Sequence, residues 1–259
     1  LTQQIYIKPK TLRNDILTTR MFFLLFFTLT AFEMCGQSLD TITRSRKLSY
    51  KSFIFPALLT TGGIVMINSD LSNTIQDQSN HFFGKNFKTG TDNFLPFVPI
   101  AQIYMGPILG FKPKDNVLNQ TIDIVVANSI TLVVVEVTKN LVRYERPDHS
   151  NNFSFPSGHT AISFTTAALL YHQYRDSNLW YASSGFLFAT ATGILRIANN
   201  KHFAPDVITG AGIGLASGLL VSYYNPFRTI KFGKNRKTSA LVYPQIGNQI
   251  GIGLILKPE

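Results

Sequence analysis

Apolar residues in this chain gather into six stretches, at roughly 53–68, 94–111, 120–138, 160–172, 178–198 and 206–224. Each exceeds the length of a typical strand and suffices for a helix. The separators carry turn chemistry: Asn68-Ser69-Asp70, Lys112-Pro113-Lys114-Asp115, Pro147-Asp148, Asp176-Ser177-Asn178 and Asn199-Asn200. Such clusters stop helices and cap the next ones. The pattern predicts an all-α bundle of six helices. The C-terminal end differs. Two β-rich runs, 239–246 and 249–256, flank Gly247-Asn248, and a two-residue link of this kind predicts a small β-hairpin. No repeat or low-complexity tract interrupts the order.

Residues 1–37 read as an address rather than as part of the fold. The first 20 residues are polar and unpatterned, Met21 opens an almost continuous apolar run to 32, and Arg13 and Arg20 precede it. This is the charged and then hydrophobic make-up of a secretory signal, with Met21 as the expected start. The run is shorter than the about 20 residues a membrane span needs. Cys35-Gly36-Gln37 is an imperfect cleavage site, and Phe32 and Met34 do not suit a lipoprotein signal. The expected organisation is a leader over 1–37, a helical domain over 38–228, and a basic linker with the hairpin over 229–259. A lone cysteine, Cys35, excludes an intramolecular disulfide.

Only 15% of the residues are charged, against 45% hydrophobic, which leans towards a membrane or membrane-edge protein. Mean hydropathy of +0.10, and Asp123 and Glu136 inside the third stretch, pull the other way; charges within a span are costly unless they face protein. The net charge of +10 suits an anionic partner. No nucleic-acid signature accompanies it. Instead, basic residues flank the first and last stretches: Arg44, Arg46, Lys47 and Lys51, then Arg228, Lys231, Lys234, Arg236 and Lys237. That placement is cytoplasmic by the positive-inside rule. With six crossings and an uncleaved leader it puts the 139–157 segment outside the membrane. A cleaved leader with six crossings puts that segment in the cytoplasm instead; the remaining alternatives for a cleaved leader are a soluble periplasmic bundle or one stretch lying flat on the membrane.

Three short segments carry the chemistry. The first ends the third stretch and holds Lys139, Arg143 and Arg146-Pro147. Lys139 and Arg146 are seven apart, two turns of helix, so on a continuous helix they share a face. The second is Pro156-Ser157-Gly158-His159, directly before an apolar helix. Ser157 suits a helix cap, Gly158 lets an anion approach the backbone, and helix-start amides bind phosphate oxygens. His159 then sits where it can act as a general acid. The third runs from Arg196 through His202 to Pro205-Asp206. His202 and Asp206 are four apart, a spacing at which a carboxylate can fix the imidazole tautomer and leave the other nitrogen free as a nucleophile. Taken singly, each segment has a plain structural explanation: a solvated basic helix end, a helix cap, a capping aspartate beside a loop histidine. Together they hold a tetrahedral oxyanion and transfer it. The acidic residues close in sequence, Glu145, Asp148 and Asp206, form no carboxylate cage for a metal.

At these residues the chain resembles the type 2 phosphatidic acid phosphatase (PAP2) superfamily, which also contains bacterial acid phosphatases and vanadium haloperoxidases. The family pattern is K-x6-RP, PSGH and SR-x5-H-x3-D. This chain has Lys139-x6-Arg146-Pro147, Pro156-Ser157-Gly158-His159 and Arg196-x5-His202-x3-Asp206. One departure is clear: Leu195 stands where the family has Ser, so one phosphate ligand is missing. The resemblance implies a six-helix PAP2-type bundle and a phosphatase that needs no cofactor and no metal. In it His202 attacks phosphorus, Asp206 orients His202, and His159 protonates the leaving oxygen. Lys139, Arg146, Ser157, Gly158 and Arg196 hold the phosphate. The expected partner is a phosphate-bearing substrate, a lipid phosphate by preference, at the membrane of a bacterial-type cell envelope with the site facing the periplasm. Phosphatidic acid, phosphatidylglycerol phosphate, undecaprenyl pyrophosphate and lipid A all stay open. So do a soluble secreted acid phosphatase, a vanadium haloperoxidase, which the short chain disfavours, and an inactive phosphate- or lipid-binding protein.

Overall fold

A computed structural model describes residues 49–225 and the backbone of 238–246 and 250–258; the leader and the basic linker lie outside the described residues. Among those residues are seven α-helices: α1 (Ile54–Val65), α2 (Asp70–Phe83), α3 (Val98–Met105), α4 (Val117–Val142), α5 (Gly158–Tyr174), α6 (Leu179–Ala198) and α7 (Ala204–Tyr223). The fold class is all-α, as expected, but the helix count is not six. The extra helix is α2, whose sequence, Asp-Leu-Ser-Asn-Thr-Ile-Gln-Asp-Gln-Ser-Asn-His-Phe-Phe, is too polar to register as an apolar stretch. The 94–111 stretch, in turn, is only partly helical. Pro96 and Pro99 confine its start to a 3₁₀ turn, and Gly106 caps α3 after eight residues.

The turn clusters act as the sequence suggests. Ser69, Asn116 and Asn178 each accept a bond from a first-turn amide of the helix that comes next, at 3.2, 2.9 and 2.9 Å. Strands β1 (Thr238–Ile246) and β2 (Ile250–Pro258) pair antiparallel with Ile246 opposite Ile250, leaving three residues between them rather than two.

Helix α5 is the axis of the bundle: 14 of its 17 residues are buried, and α4, α6 and α7 pack around it. Small residues make this possible. A Cβ on Gly210 would sit 2.6 Å from the Ser157 carbonyl oxygen, and one on Gly218 would sit 2.7 Å from that of Thr165. With Gly214 between them, these form a ridge at four-residue spacing that lets the α7 backbone lie against α5. On another side of α7, Gly212 faces Pro56 and Thr60, while Gly63 of α1 faces Thr209. Helix α1 therefore runs antiparallel to α7. Two core clusters fill the remaining space, one around Ile103, Leu170 and Tyr174, the other around Phe164, Ala189 and Leu215.

By length and composition α4 and α7 can cross a membrane, and a third span arises if α1 and α2, bent by 90° at their junction, count as one. Among the described residues that is fewer than six. Helix α4 carries Val125, Leu132, Val133, Val137 and Leu141 exposed along its outer side. Of the two acids that counted against a span, Asp123 is buried and accepts a bond from Asn225 at 2.6 Å, while Glu136 lies near the end of the helix beside Lys139.

The ridge yields a stability test. Gly214→Val meets the Ala161 backbone and Phe164 and is expected to destabilise by about 1–3 kcal/mol or more. Gly62→Ala adds a Cβ with nothing within 4 Å and is expected to be neutral or stabilising by up to about 1 kcal/mol. Paired thermal melts compare the two; equal effects would contradict the packing described.

Candidate functional site

Because α4, α5, α6 and α7 alternate in direction, the α4 C-terminus, the α5 N-terminus, the α6 C-terminus and the α7 N-terminus share one end of the bundle. All three sequence segments lie there. Their meeting is tightened by Ser157, whose amide donates to the Asp206 carbonyl at 3.0 Å, joining the starts of α5 and α7.

Helix α4 ends one turn earlier than a shared face for Lys139 and Arg146 requires. Arg143 adopts a left-handed conformation (φ 48°) and closes the helix by donating its amide to the Lys139 carbonyl at 3.0 Å. Arg146 thus reaches the site from a loop, held by its amide on the Asn151 carbonyl at 3.0 Å. Its Nε is buried and makes no hydrogen bond to protein. Lys139, on the last turn, lies 3.3 Å from Glu136. Its ammonium would be 3.6 Å from a Cβ on Gly158, so the bare glycine keeps open the space between Lys139 and the α5 start.

Ser157 occupies the cap position of α5 without capping it. Its hydroxyl pairs with that of Thr160 at 2.9 Å, and no side chain accepts from the first-turn amides. Those donors therefore stay available to an anion.

The α6–α7 loop is clamped from both sides. Gln76 of α2 donates to the Ile197 carbonyl (3.2 Å) and to Asn200 Oδ1 (2.7 Å), while Asn199 exchanges two bonds with the Thr89 backbone at 2.9 and 3.0 Å. Lys201 pairs with Asp148 at 2.6 Å, tying this loop to the Arg146 loop. His202 is 1% exposed. Its Nδ1 lies 3.4 Å from Asp206 Oδ2, close enough to feel the charge but without hydrogen-bond alignment. Asp206 Oδ2 is already engaged, accepting from Phe203 N at 2.9 Å and from the buried Ser154 hydroxyl, whereas Oδ1 is buried with no partner. The expected His202–Asp206 pair is therefore adjacent but not bonded in this state.

One residue carries no mark in the sequence. Asp92, in the 3₁₀ turn Thr91–Asn93, binds Arg196 Nη1 at 2.8 Å, and both side chains are over 90% buried. Asp92 precedes all three segments by more than 40 residues and has no fixed spacing to any of them, so no local signal identifies it. The pairing leaves Arg196 Nε buried without a partner. Leu195, next to it, is half-buried and offers no polar atom.

Burial pushes His202 down to about 4 and outweighs the pull of Asp206; Arg196 and Arg146 push in the same direction as burial. Burial likewise takes His159 down to about 4, reinforced by Arg196, His202 and Lys139 and opposed by Asp92. Arg146 is lowered by burial and by Arg196. These mutual effects place Lys139, Arg146, His159, Arg196, His202 and Asp206 in one electrostatic neighbourhood. Among the described residues no group of three His, Cys, Asp or Glu side chains could hold a metal ion.

Removing one partner of a buried ion pair leaves the other uncompensated. Asp92→Ala is expected to cost about 3–5 kcal/mol of stability by thermal or denaturant unfolding. A loss below about 1 kcal/mol would mean that Arg196 does not depend on Asp92.

Comparison with known proteins points the same way. The PAP2 superfamily model matches residues 120–230, which contain all three segments. The Lipid A 1-phosphatase of Porphyromonas gingivalis is 34% identical over 140 residues, 52% of this chain and 31% of that protein. The Bacitracin transport permease protein BcrC of Bacillus licheniformis is 34% identical over 82 residues, 30% of this chain and 37% of that protein. The chain thus spans about a third of the length of these relatives. The crystal structure of Aquifex aeolicus LpxE aligns over 71% of this chain and 100% of its own at 22% identity, with a TM-score of 0.40, too low to argue from. The family match and the three ordered segments coincide, so the part of the chain that carries the candidate site is similar to the PAP2 superfamily.

Proposed function

We propose that this protein is a phosphatase that hydrolyses a lipid-linked phosphomonoester or pyrophosphate through a phosphohistidine, without a metal. The observation that carries the reading is the setting of His202: buried, neutral, beside Asp206, and flanked by Arg146 and Arg196. A neutral imidazole keeps a lone pair for attack. The cations and the uncapped α5 amides supply the charge stabilisation that an anionic transition state needs.

In the first step His202 Nε2 attacks phosphorus as the bond to the leaving oxygen breaks. His159 gives that oxygen its proton. Lys139, Arg146 and Arg196 hold the phosphoryl oxygens with Ser157 and the Gly158 amide. Water then attacks the phosphohistidine, loses a proton to His159, and releases phosphate and free His202. Asp206 steadies the positive charge that His202 gains, its Oδ2 lying 3.4 Å from the imidazole Nδ1. The missing hydroxyl at Leu195 removes one phosphate contact from this set.

A lipid substrate is supported by the exposed apolar side of α4 and by the relative named as a Lipid A 1-phosphatase. Orientation is set by charge. The α1 N-terminus and the α7 C-terminus lie at the end of the bundle away from the site, and each adjoins in sequence one of the basic clusters, 44–51 and 228–237. The positive-inside rule then assigns that end to the cytoplasm and the site to the periplasmic side.

His202→Ala is expected to lower phosphate release by several powers of ten on the order seen for lost nucleophiles, assayed on lipid phosphates in detergent; near-normal release would sink the mechanism. A pH profile tests the protonation states. His202 stays neutral above about pH 4. His159 is also neutral in the free site above about pH 4, so its proton arrives with substrate monoanion, which is lost near the second phosphate pKa of about 6. The expected kcat/KM rises through about pH 4, peaks, and falls above about pH 6. A kcat/KM still climbing at pH 8 would contradict this assignment.

A further inference from the structure

We propose that α2 lies along the membrane surface beside the site, with Leu71, Ile75 and Phe82 in the lipid, and holds the catalytic loop at the level of the headgroups. This rests on the reading of α4 and α7 as membrane-spanning, and it takes α1 with the turn before it, rather than α1 and α2 together, as the third span. Helix α1 and the 3₁₀ turn before it, Tyr50–Phe53, make a rod of roughly 25 Å by their rise per residue, close to the thickness of a hydrocarbon core. The rod ends at the site side of the bundle, where Asn68 accepts from Tyr144 at 3.0 Å. There the chain turns by 90° into α2. A helix perpendicular to a spanning rod runs in the plane of the bilayer.

The faces of α2 fit that position. At 100° per residue the helix divides into three stripes about 120° apart. One stripe, Ser72, Gln76, Ser79 and Asn80, is turned inward, and Gln76 clamps the catalytic loop. A second, Asp70, Asn73, Asp77 and His81, is exposed and polar. The third, Leu71, Ile75 and Phe82, is apolar; Leu71 is 46% and Phe82 81% exposed. A helix packed on a water-soluble protein turns its apolar stripe inward. Here the protein takes a polar stripe, and of the apolar one Leu71 and Phe82 are exposed while Ile75 is half-buried. Three stripes for three media (protein, water and lipid) are what an interfacial helix requires.

The residues just past the C-terminus of α2 identify the occupant as an anionic bilayer surface. Gly84, at φ 95°, ends α2, and exposed Lys85 and Lys88 come next. Between and beside them Phe82, Phe83 and Phe87 stack in sequence, with ring centres 4.8 and 5.2 Å apart. Aromatic rings interleaved with lysines mark the headgroup level. The acids Asp70 and Asp77 sit on the stripe that faces water.

The test uses the full chain reconstituted in phosphatidylcholine–phosphatidylglycerol vesicles. Trp180 is the sole tryptophan and is replaced by Phe. A single tryptophan is then placed at Phe82→Trp or, on the exposed side of α4 near mid-span, at Val133→Trp. Quenching by phospholipids brominated at shallow or deep acyl positions reports depth. The proposal expects blue-shifted F82W emission, quenched best by shallow bromines, with V133W quenched best by deep ones. F82W quenched by aqueous iodide and not by bromolipid, while V133W responds to bromolipid, overturns the placement of α2 and leaves the spanning helices standing. F82W quenched best by deep bromines overturns it as well, making α2 a re-entrant segment. Loss of quenching at both positions removes the membrane reading itself. In activity, Leu71→Asp with Phe82→Asp is expected to raise KM for a lipid phosphate in vesicles roughly tenfold. The same pair leaves kcat/KM for water-soluble p-nitrophenyl phosphate unchanged. Equal effects on both substrates would mean that α2 acts on the catalytic loop and not on the bilayer.

Discussion

The backbone contact between α5 and α7 sets the rest of the structure. Gly210, Gly214 and Gly218 leave no side chain between the helices, so α7 settles against the carbonyls of Ser157, Ala161 and Thr165. With the axes that close, the two helix starts abut, and Ser157 N–H finds the Asp206 carbonyl. Two positive helix ends then point at one place, while α4 and α6 arrive with their negative ends and carry Lys139 and Arg196 in their final turns. A site for an anion results from the packing before any catalytic role is assigned.

The site concentrates positive charge and then limits it. Asp92 takes up one side of Arg196, burial keeps His159 and His202 neutral, and Glu136 stands beside Lys139. Without these, three cations and two imidazoles in one buried place would repel one another. In the proposed reaction a bound phosphate group supplies the missing negative charge, raises the proton affinity of His159, and gives Arg146 Nε and Arg196 Nε, both buried without a partner, an acceptor. Asp206 has a second task. Through the Ser154 hydroxyl and the Phe203 amide it ties the segment before α5 to the residue after His202, and this competes with a direct bond to the imidazole.

The outer surface obeys a different rule from the site end. Along α4 and α1 apolar residues are exposed in bulk, while the polar inner stripe of α2 is spent on the catalytic loop. Such a surface costs free energy in water and little in lipid. It gives the bundle a direction, with the helix ends that adjoin the basic clusters in sequence at one end and the candidate site at the other.

Much of this was legible in the amino-acid order. Five of the expected helices occur close to their expected positions, because long apolar runs bounded by Asn, Asp, Ser and Pro have few alternatives to a buried helix. The eight candidate site residues could be named from the sequence because the three segments have fixed internal spacing and adjoin helix ends, and the structure brings those segments to one end of the bundle. Local information ended where a neighbour distant in sequence was needed. Helix α2 was missed because its partner is a polar loop more than 100 residues away, so it carries no long apolar run. The shared face of Lys139 and Arg146 was lost to the left-handed turn at Arg143. The cap expected of Ser157 became a bond to Thr160, and the bond expected between His202 and Asp206 yielded to Ser154 and Phe203. Asp92 had no local signal at all. Sequence alone determined which chemical groups are present and which helix ends carry them. Tertiary structure decided which of those groups meet, what charge each keeps and which bonds each gives up, because burial and proximity belong to the packed chain and to no segment of it.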